Sequence, residues 1–150
     1  MTNQKTLVLI KPDAMVKCLA GHVISDLYET KLKIIGLKIV NVKKELAEAH
    51  YAEHKGKPFF EKLIKHITGE FHDNENVIAI VYQGENAIEK IRKIAGATHP
   101  EQADYKTIRG KYGRHQSQTD CFENVIHASD SQKSAEKEIA LWFKPEELIE

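Results

Sequence analysis

The chain has 150 residues, of which 41% are hydrophobic and 29% are charged. These proportions are typical of a globular domain with a buried core, and the length leaves no room for two domains, so residues 1–150 are predicted to form a single domain. Lysine plus arginine equals aspartate plus glutamate at 22 each, so charge gives no reason to expect a general nucleic-acid or acidic-membrane surface.

The two cysteines and the N-terminus indicate a compartment. Cys18 and Cys121 lie far apart without the paired spacing of a metal site, which indicates free thiols in a reducing environment. The N-terminus lacks the apolar core of a signal sequence, and no stretch is long enough to span a membrane. We therefore expect a cytoplasmic protein with no membrane partner.

The beginning of the chain predicts a strand, a helix and a second strand. Thr6–Ile10 is a wholly apolar run, typical of a strand buried on both faces. Lys11 emerges where this strand ends, and strand ends in open sheets are positions where ligands dock. Apolar residues at helical spacing up to Tyr28 predict an amphipathic helix packed on the sheet. Leu32–Val42 then indicates a strand, in which Gly36 marks a bulge or close packing.

The next segment, Leu46–His54, has helical periodicity. His50 and His54 stand at i and i+4 on it, a spacing that can serve a metal ion. No third ligand stands out, and the pattern of a zincin is absent, so no protein-bound metal is predicted.

A helix with two adjacent phenylalanines follows a turn. Pro58 suits the first position of that helix, which carries Phe59 and Phe60. Their side chains lie about 100° apart on a helix, so one of them can be left at a cleft edge, where it could stack on a flat ligand. Thr68–Asn76 is then predicted to be a polar loop.

The middle of the chain predicts a strand, a helix and a long loop. Val77–Tyr82 is a further buried strand, and Ala87–Ala95 is a helix that ends at Gly96. Hydrophobic periodicity is lost over Ala97–Glu123, and structured loops of that length are usually functional. The loop also contains a local basic patch, for which a phosphate site and a solvated surface both remain open. The patch comprises Lys106, Arg109, Lys111 and Arg114.

The last strand is predicted to end on a histidine, His127, just before the last helix begins. Val125 and Ile126 favour a strand by β-branching, whereas Ser129 and the two residues after it favour a turn and a helix N-cap. A histidine at such a junction faces free backbone N–H groups of the helix start, which favour an anion such as phosphate. On the helix, Glu138 can be aimed inward.

Without its extra helices and the long loop before the last strand, the predicted order is βαββαβ. This order indicates a ferredoxin-like α+β fold with a four-stranded antiparallel sheet. We expect the helices to cover one face of the sheet. Self-association is the simplest way to bury the other face.

Seven motifs, in order and spacing, resemble the nucleoside diphosphate kinase family over nearly the whole chain. They lie at residues 9–13, 50–60, 84–87, 96–100, 107–110, 124–131 and 134–143. One such motif is weak evidence, but the ordered set is very specific.

The resemblance implies transfer of the γ-phosphate of ATP, or of another nucleoside triphosphate, to nucleoside diphosphates by a ping-pong route through a phosphohistidine. It implies Mg²⁺ carried on the nucleotide phosphates, and a homo-oligomer of four or six subunits. His127 matches the nucleophile of the family, and Glu138 and Ser129 match the residues that orient its ring. Chemistry agrees, because phosphate leaves an imidazole nitrogen readily, whereas a serine ester would trap it.

The resemblance also assigns a nucleotide site. Tyr51 and Lys11 match residues beside the transferred group and the ribose, and Asn124 matches a residue that contacts the sugar. Stacking alone would make the choice of base permissive, since every base has a π-face. The remaining matches are Phe59, which stacks on the base, Leu63 beside it, and the phosphate ligands Arg92, Thr98 and Arg109.

Four features depart from the family pattern. Ala128 stands where the family usually has glycine, and Lys111 replaces a common aspartate. The Thr68–Asn76 loop and the segment 111–123 are longer than usual. These differences concern loop geometry and subunit contacts rather than the nucleophile.

Two alternative functions compete with this assignment. A non-catalytic ferredoxin-like module for regulation or nucleic-acid binding is disfavoured by the zero net charge and the intact set of catalytic matches. A serine hydrolase built from Ser129, His127 and Asp130 is excluded, because neighbours in one turn cannot form the required relay.

Overall fold

Residues 2–150 are described by the computed structural model, and they form six strands and seven α-helices. The first half contains β1 (Asn3–Ile10), α1 (Pro12–Val16), α2 (Ala20–Leu27), β2 (Lys33–Asn41), α3 (Lys44–His50) and α4 (Phe60–Ile67). The second half contains β3 (Asn76–Glu85), α5 (Ala87–Ala95), α6 (Ile108–Tyr112), β4 (Arg114–Gln116), β5 (Cys121–Glu123), β6 (Ile126–Ala128) and α7 (Gln132–Trp142). No helix in this part of the chain is both long and apolar enough to cross a membrane.

Four of the strands form one antiparallel sheet in the order β2-β3-β1-β6, which confirms the predicted ferredoxin-like α+β fold. The register of β2 against β3 shifts between Ile34 and Gly36, so the predicted bulge at Gly36 is also confirmed. At the other side of the sheet, β6 pairs with β1 and places His127 opposite Leu9. The sheet thereby fixes the candidate nucleophile beside the most buried strand.

Helices cover both faces of this sheet. Val8 and Ile10 of β1 belong to a buried cluster with α2 and α5, whereas Leu7 and Leu9 belong to a second cluster with α3, α4 and Trp142. Alternate residues of a strand point to opposite faces, so each cluster is the core of one face. The expectation that helices cover one face only is therefore wrong. The extra helices α3 and α4 bury the other face within the same chain.

The segment Ala97–Glu123 contains more regular structure than predicted. It includes a 3₁₀ turn at Pro100–Gln102, the helix α6, and a hairpin in which β4 pairs with β5. Two of its basic residues pair with acids: Lys111 Nζ lies 2.5 Å from Asp26 Oδ2, and Arg114 Nε lies 3.1 Å from Glu123 Oε1. Two of the four basic residues are thus paired with acids on other elements, whereas Arg109 is buried against backbone carbonyls and Lys106 is exposed.

The loop between α4 and β3 contacts the segment 111–123. His72, in the loop between α4 and β3, has Nε2 3.6 Å from Oε2 of the buried Glu123 at the end of β5. Lys62 Nζ of α4 also lies 2.6 Å from Asp120 Oδ2 in the β4–β5 turn. The segment 111–123 is therefore held by contacts with both α4 and the loop that follows it.

The helices on either side of the phenylalanines are shorter than predicted. Pro58 does not begin α4, because the N–H of Phe60 closes a turn onto the carbonyl of Lys57, and Phe59 becomes the N-cap. Phe59 remains 44% exposed and Phe60 only 8%. The expectation that one ring is left exposed is confirmed. The preceding predicted helix ends at His50 and continues as a 3₁₀ turn.

Candidate active site

His127 lies at the junction of the last strand and the last helix, as predicted. It is the middle residue of β6, and α7 begins five residues later at Gln132. The hydroxyl of Ser131 caps that helix by accepting a hydrogen bond from the N–H of Ser134 at 3.1 Å. This cap follows the preference of serine for the N-cap position. The side chain of His127 is 21% exposed, so it is accessible yet held on most sides.

The imidazole of His127 is oriented by a carboxylate on α7. His127 Nε2 lies 2.5 Å from Glu138 Oε1, and the hydroxyl of Ser129 donates to the same oxygen at 2.9 Å. Ser129 in turn accepts the N–H of Leu7 at 3.2 Å. A carboxylate oxygen only accepts, so the hydrogen of the neutral imidazole is on Nε2, and Nδ1 keeps its lone pair. Ser129 is buried and its hydroxyl is engaged in hydrogen bonds, so it suits an orienting role rather than that of a nucleophile.

The turn before His127 has an unusual backbone that several groups hold in place. Val125 has a φ of 73°, which a β-branched residue rarely adopts. Asp13 Oδ2 accepts the N–H of Val125 at 3.0 Å, and the N–H of Lys11 donates to the carbonyl of Val125 at 2.9 Å. Asp13 is itself fixed by His66, whose Nε2 lies 2.9 Å from Oδ1. Ala128 pairs with β1 in ordinary strand backbone, so the usual glycine is not needed there.

A buried lysine and an asparagine form the next part of the site. Lys11 Nζ donates to Asn124 Oδ1 at 2.5 Å, and Asn124 Nδ2 donates to the carbonyl of Thr98 at 3.0 Å. Burial lowers the pKa of Lys11. The negative charge of Asp13 opposes this shift, and the positive charge of Arg109 adds to it. Three of the predicted nucleotide residues therefore meet in one hydrogen-bonded chain.

Arg109 is buried and binds the backbone around the nucleophile. Its guanidinium donates to the carbonyls of Gly96, Asn124 and Ile126 at 2.9, 3.2 and 2.8 Å respectively. Burial, and then the charge of Arg92, lower the pKa of Arg109 to about 10, so it stays charged at neutral pH. Two of the five guanidinium N–H groups remain for a ligand. Sequence reasoning predicted a phosphate ligand here but missed the structural role.

A group of aromatic side chains lies beside the ring of His127. The ring of His50 contacts those of Tyr51 and His127 edge-on, with centroids 4.7 and 4.5 Å apart. Trp142 Nε1 donates to His50 Nδ1 at 3.0 Å. His54 does not join His50, since its Nδ1 lies 3.1 Å from Lys57 Nζ. Sequence reasoning missed the connection between His50 and Trp142 because 92 positions separate them.

Nitrogen and oxygen atoms of His50, His127 and Glu138 lie within 4.8 Å of one another, so this cluster has the spacing to hold a metal ion. The hydrogen bonds disfavour that use. Indole N–H only donates, so His50 Nδ1 must accept and its hydrogen is on Nε2. The hydrogen of His127 is likewise on the nitrogen that faces Glu138. A metal bound through His50 Nδ1 would have to break the bond from Trp142, and one bound through His127 Nε2 would have to break the bond to Glu138.

The remaining predicted residues lie further out. Phe59 is exposed, with its ring 5.4 Å from that of His54, and Leu63 of α4 packs partly buried against the second core cluster. Arg92 is exposed on α5 and lines an open hollow together with Asp130 at the start of α7. No hydrogen bond within residues 2–150 links these side chains to His127. They border the site rather than form its centre.

The fold and this site together define an α+β, ferredoxin-like kinase with a histidine–carboxylate pair at its centre. Residues 4–148 match the family model described as nucleoside diphosphate kinase. The chain belongs to the nucleoside diphosphate kinase family. It is 52% identical over 147 residues to the nucleoside diphosphate kinase of Pyrococcus furiosus, which covers 98% of this chain and 87% of that protein. The Thermococcus kodakarensis enzyme is 50% identical, over 98% of this chain and 80% of its own length.

Solved structures agree with the fold. A nucleoside diphosphate kinase from Halobacterium salinarum in complex with CDP superposes with a TM-score of 0.89 at 38% identity, covering 99% of this chain and 93% of that one. A transition state mimic of the Borrelia burgdorferi enzyme with bound vanadate and ADP gives 0.88 at 34% identity, covering 99% and 91%.

Proposed function

We propose that residues 1–150 form a single nucleoside diphosphate kinase domain, which transfers the γ-phosphate of ATP or another nucleoside triphosphate to nucleoside diphosphates through a phosphohistidine at His127. The observation that carries the proposal is the 2.5 Å separation of His127 Nε2 and Glu138 Oε1. It leaves Nδ1 as the nucleophilic nitrogen. A histidine held in one tautomer by a carboxylate is the arrangement that covalent phosphate transfer requires.

The reaction has two matching halves. In the first, the Nδ1 lone pair attacks the γ-phosphorus, the bond from that phosphorus to the bridging oxygen breaks, and the nucleoside diphosphate leaves. In the second, a terminal oxygen of another nucleoside diphosphate attacks the same phosphorus and the P–N bond breaks. Glu138 accepts the Nε2 hydrogen bond throughout, which stabilises the positive charge that the ring gains on phosphorylation.

Charge stabilisation is assigned to cations beside His127. Buried Lys11 and Arg109 lie within the group that holds the turn before it, and Arg92 lies near enough to affect the pKa of Arg109. Positively charged donors stabilise the transferring phosphoryl group most in its transition state. Tyr51 and the hydroxyl of Thr98 are proposed to contribute further donors to the phosphates.

Mg²⁺ is proposed to arrive with the nucleotide as part of the substrate. The donor set supports this, because Glu138 is engaged by His127 and Ser129, and Asp13 by His66 and Val125. Both oxygens of Asp13 and Oε1 of Glu138 are thus engaged in hydrogen bonds, and the other groups are mainly cations. Such a site suits the phosphate oxygens of a magnesium–nucleotide complex better than a resident ion.

The base is proposed to stack on Phe59, with Leu63 beside it and Asn124 at the sugar. The exposure of Phe59 and its place at the edge of α4 support this role. The bound CDP of the Halobacterium salinarum relative and the bound ADP of the Borrelia burgdorferi relative favour a site that accepts pyrimidines and purines. Permissive choice of base follows if stacking provides the recognition.

Assembly and location are proposed with the function. We infer a homo-oligomer of four or six copies acting in the cytoplasm, without membrane or nucleic-acid partners. The exposed apolar side chains of Leu37 and Ile39 on the edge strand β2 support self-association, although helices fill both faces of the sheet. Sedimentation analysis of the purified protein tests it, and a monomer at micromolar concentration would contradict it.

The test of the main proposal is phosphoryl labelling. The protein is incubated with γ-labelled ATP, freed of nucleotide, and divided between acid and base. We expect label that is labile in acid and stable in base, as for a phosphohistidine, and we expect the label to be transferred to added GDP or CDP. His127→Ala should abolish labelling, whereas His22→Ala, at an exposed position of α2, should not. Retained labelling in His127→Ala contradicts the proposal.

A further inference from the structure

His50 carries a hydrogen-bond donor whose position is fixed. The residue is 8% exposed at the end of α3, and its Nδ1 accepts the indole N–H of Trp142 at 3.0 Å. Indole nitrogen never accepts, so this bond holds the neutral ring in the tautomer with hydrogen on Nε2. Burial, followed by the charges of His127 and Lys11, lowers the pKa of His50 from 6.5 to about 2, so the ring stays neutral in the working range.

The Nε2–H of this ring lacks an acceptor. The atom is buried and has no hydrogen-bond partner among residues 2–150. Buried polar groups are nearly always paired in native proteins, and an unpaired one calls for an explanation in function or strain. No hydrogen bond joins it to the neighbouring carboxylate of Glu138, whose Oε1 accepts from His127 and Ser129.

The ring that carries this donor lies beside the ring of His127. The ring of His50 meets that of His127 at 82° with centroids 4.5 Å apart, and a nitrogen of each lies within 4.8 Å of the other and of Glu138. Because the two ring centroids are 4.5 Å apart, phosphorylation of His127 would bring three strongly accepting oxygens close to the ring of His50. An N–H without an acceptor in the free enzyme would then acquire one.

We propose that the Nε2–H of His50 is a donor reserved for the phosphoryl group on His127, paired in the phosphoenzyme and unpaired in the free enzyme. The inference rests on the proposed role of His127 as the phosphate carrier. The sequence resemblance assigned His50 no role.

A neutral donor suits this task. The phosphoryl group must leave His127 as readily as it arrives, so an additional cation next to the P–N bond would favour the intermediate too strongly. A neutral N–H fixed by Trp142 needs no reorganisation and stabilises the intermediate moderately. Trp142 therefore acts as a positioning residue, because it sets the tautomer of His50 without reaching the phosphate.

The first test measures the fraction of labelled enzyme at fixed ratios of ATP to ADP. His50→Phe keeps a ring of similar shape without the N–H, and His50→Gln keeps an amide N–H near the original Nε2 position. We expect His50→Phe still to be labelled, with its phosphorylation equilibrium constant reduced on the order of tenfold, the effect of losing one hydrogen bond to a charged group. His50→Gln should recover most of that loss.

Stability is measured in parallel, because both substitutions disturb the bond from Trp142. A purely structural role would lower the melting temperature of both variants and leave the phosphorylation equilibrium unchanged, which would overturn the proposal. Equal loss in the Phe and Gln variants would overturn it too. These outcomes differ from failure of the proposed function, in which His127→Ala still carries label.

A second test uses the unaltered protein and does not depend on a variant folding. With ¹⁵N-labelled histidine, the ring resonances should show His50 as the neutral Nε2–H tautomer from pH 8 to pH 5. Adding ATP to phosphorylate the enzyme should move its Nε2–H proton downfield, as a new acceptor is gained. An Nδ1–H tautomer, or a proton signal that phosphorylation does not move, would contradict the proposal.

A third test asks whether His50 is instead a metal ligand, together with His127 and Glu138. Zn²⁺ is titrated into the free enzyme by calorimetry, with His50→Gln as the comparison. We expect no binding that depends on His50, because its lone pair is held by Trp142. Binding to the original protein that disappears in His50→Gln would show that His50 is a metal ligand, and would overturn its assignment as a reserved donor.

Discussion

Asp13 Oδ2 accepts the backbone N–H of Val125 at 3.0 Å, and Val125 has a φ of 73°. Strained backbone of this kind persists only where its surroundings hold it, and it is often found next to functional residues. Val125 precedes His127 by two positions. The carboxylate that follows the first strand therefore helps to set the direction in which the last strand presents the nucleophile.

Asp13→Ala should destabilise the protein by about 1–3 kcal/mol, because it leaves the buried N–H of Val125 without an acceptor. The rate of histidine phosphorylation should fall too, since His127 is no longer held in one position. Urea unfolding and rapid-quench labelling measure the two effects. Asp26→Ala, which removes a partly exposed carboxylate bound to Lys111, should lower stability by less than about 1 kcal/mol and leave the rate unchanged. Equal losses in both variants would contradict the role of Asp13.

The parts of the fold that could be predicted depend on local patterns. The apolar run before Lys11 and the serine-rich start of the last helix are complete within a few residues, so the strand, the helix and the position of His127 between them follow from sequence. The bulge at Gly36 follows from a glycine inside a strand. Recognition of the family pattern then indicated which side chains meet at the strand ends.

The parts that could not be predicted depend on contacts between distant segments. The strands Arg114–Gln116 and Cys121–Glu123 have three residues each, too few for a periodic signal, and they are stabilised by pairing with each other. In the sequence Arg109 belongs to a basic loop, whereas in the structure its guanidinium binds the backbone carbonyls of three other residues. The hydrogen bond from Trp142 to His50 joins residues far apart in the sequence, so the fixed Nε2–H of His50 was not predicted. The packing of α3 and α4 on the second face of the sheet was not predicted for the same reason.

The stability of the protein should fall in acid because burial lowers the pKa of two of its histidines. The pKa of His50 is lowered from 6.5 to about 2, and burial also lowers the pKa of His66. Below pH 6.5 the unfolded chain takes up protons that the folded chain excludes. Each such histidine then lowers the free energy of unfolding by up to about 1.4 kcal/mol per pH unit.

Urea unfolding at pH 7, 6 and 5 measures this slope. His50→Gln cannot take up the proton in either state, so its slope over this range should be smaller by close to one proton. His22→Gln, at an exposed position, is the matched control for the substitution itself. A His50→Gln slope equal to that of the unaltered protein would show that the ring titrates in the folded state.

Glu138→Gln should slow phosphorylation of His127 far more than it weakens nucleotide binding. The amide can turn either its oxygen or its NH₂ toward His127 Nε2, so the tautomer is no longer fixed, and orientation acts on the chemical step. We expect a loss on the order of 10²-fold in the single-turnover rate. Glu136→Gln, on the same helix but exposed, should keep the full rate. A normal rate in Glu138→Gln would remove the basis for the orienting role.

Arg109→Ala should affect both catalysis and stability. Its guanidinium binds three backbone carbonyls, two of which belong to residues adjoining Val125. Loss of a preorganised cation should depress the maximal rate on the order of 10²–10³. Loss of the carbonyl contacts should lower the melting temperature as well, in contrast to Lys106→Ala at an exposed position of the same segment. A full maximal rate with a lowered melting temperature would restrict Arg109 to a structural role.

Phe59 and Phe60 offer a matched pair, since they are adjacent and identical but 44% and 8% exposed. Phe60→Ala removes a core ring and should destabilise the protein by about 3–5 kcal/mol. Phe59→Ala should change stability less, because the residue is 44% exposed.

If Phe59 stacks on the base, its loss should instead weaken nucleotide binding by roughly 1–3 kcal/mol. The nucleotide concentration needed for half-maximal rate should then rise. Stacking is the same before and during transfer, so the maximal rate should be preserved. Steady-state kinetics with ADP, GDP, CDP and UDP should show the same shift for all four. A loss confined to one base would mean that the site reads base identity, and permissive substrate choice would then be wrong.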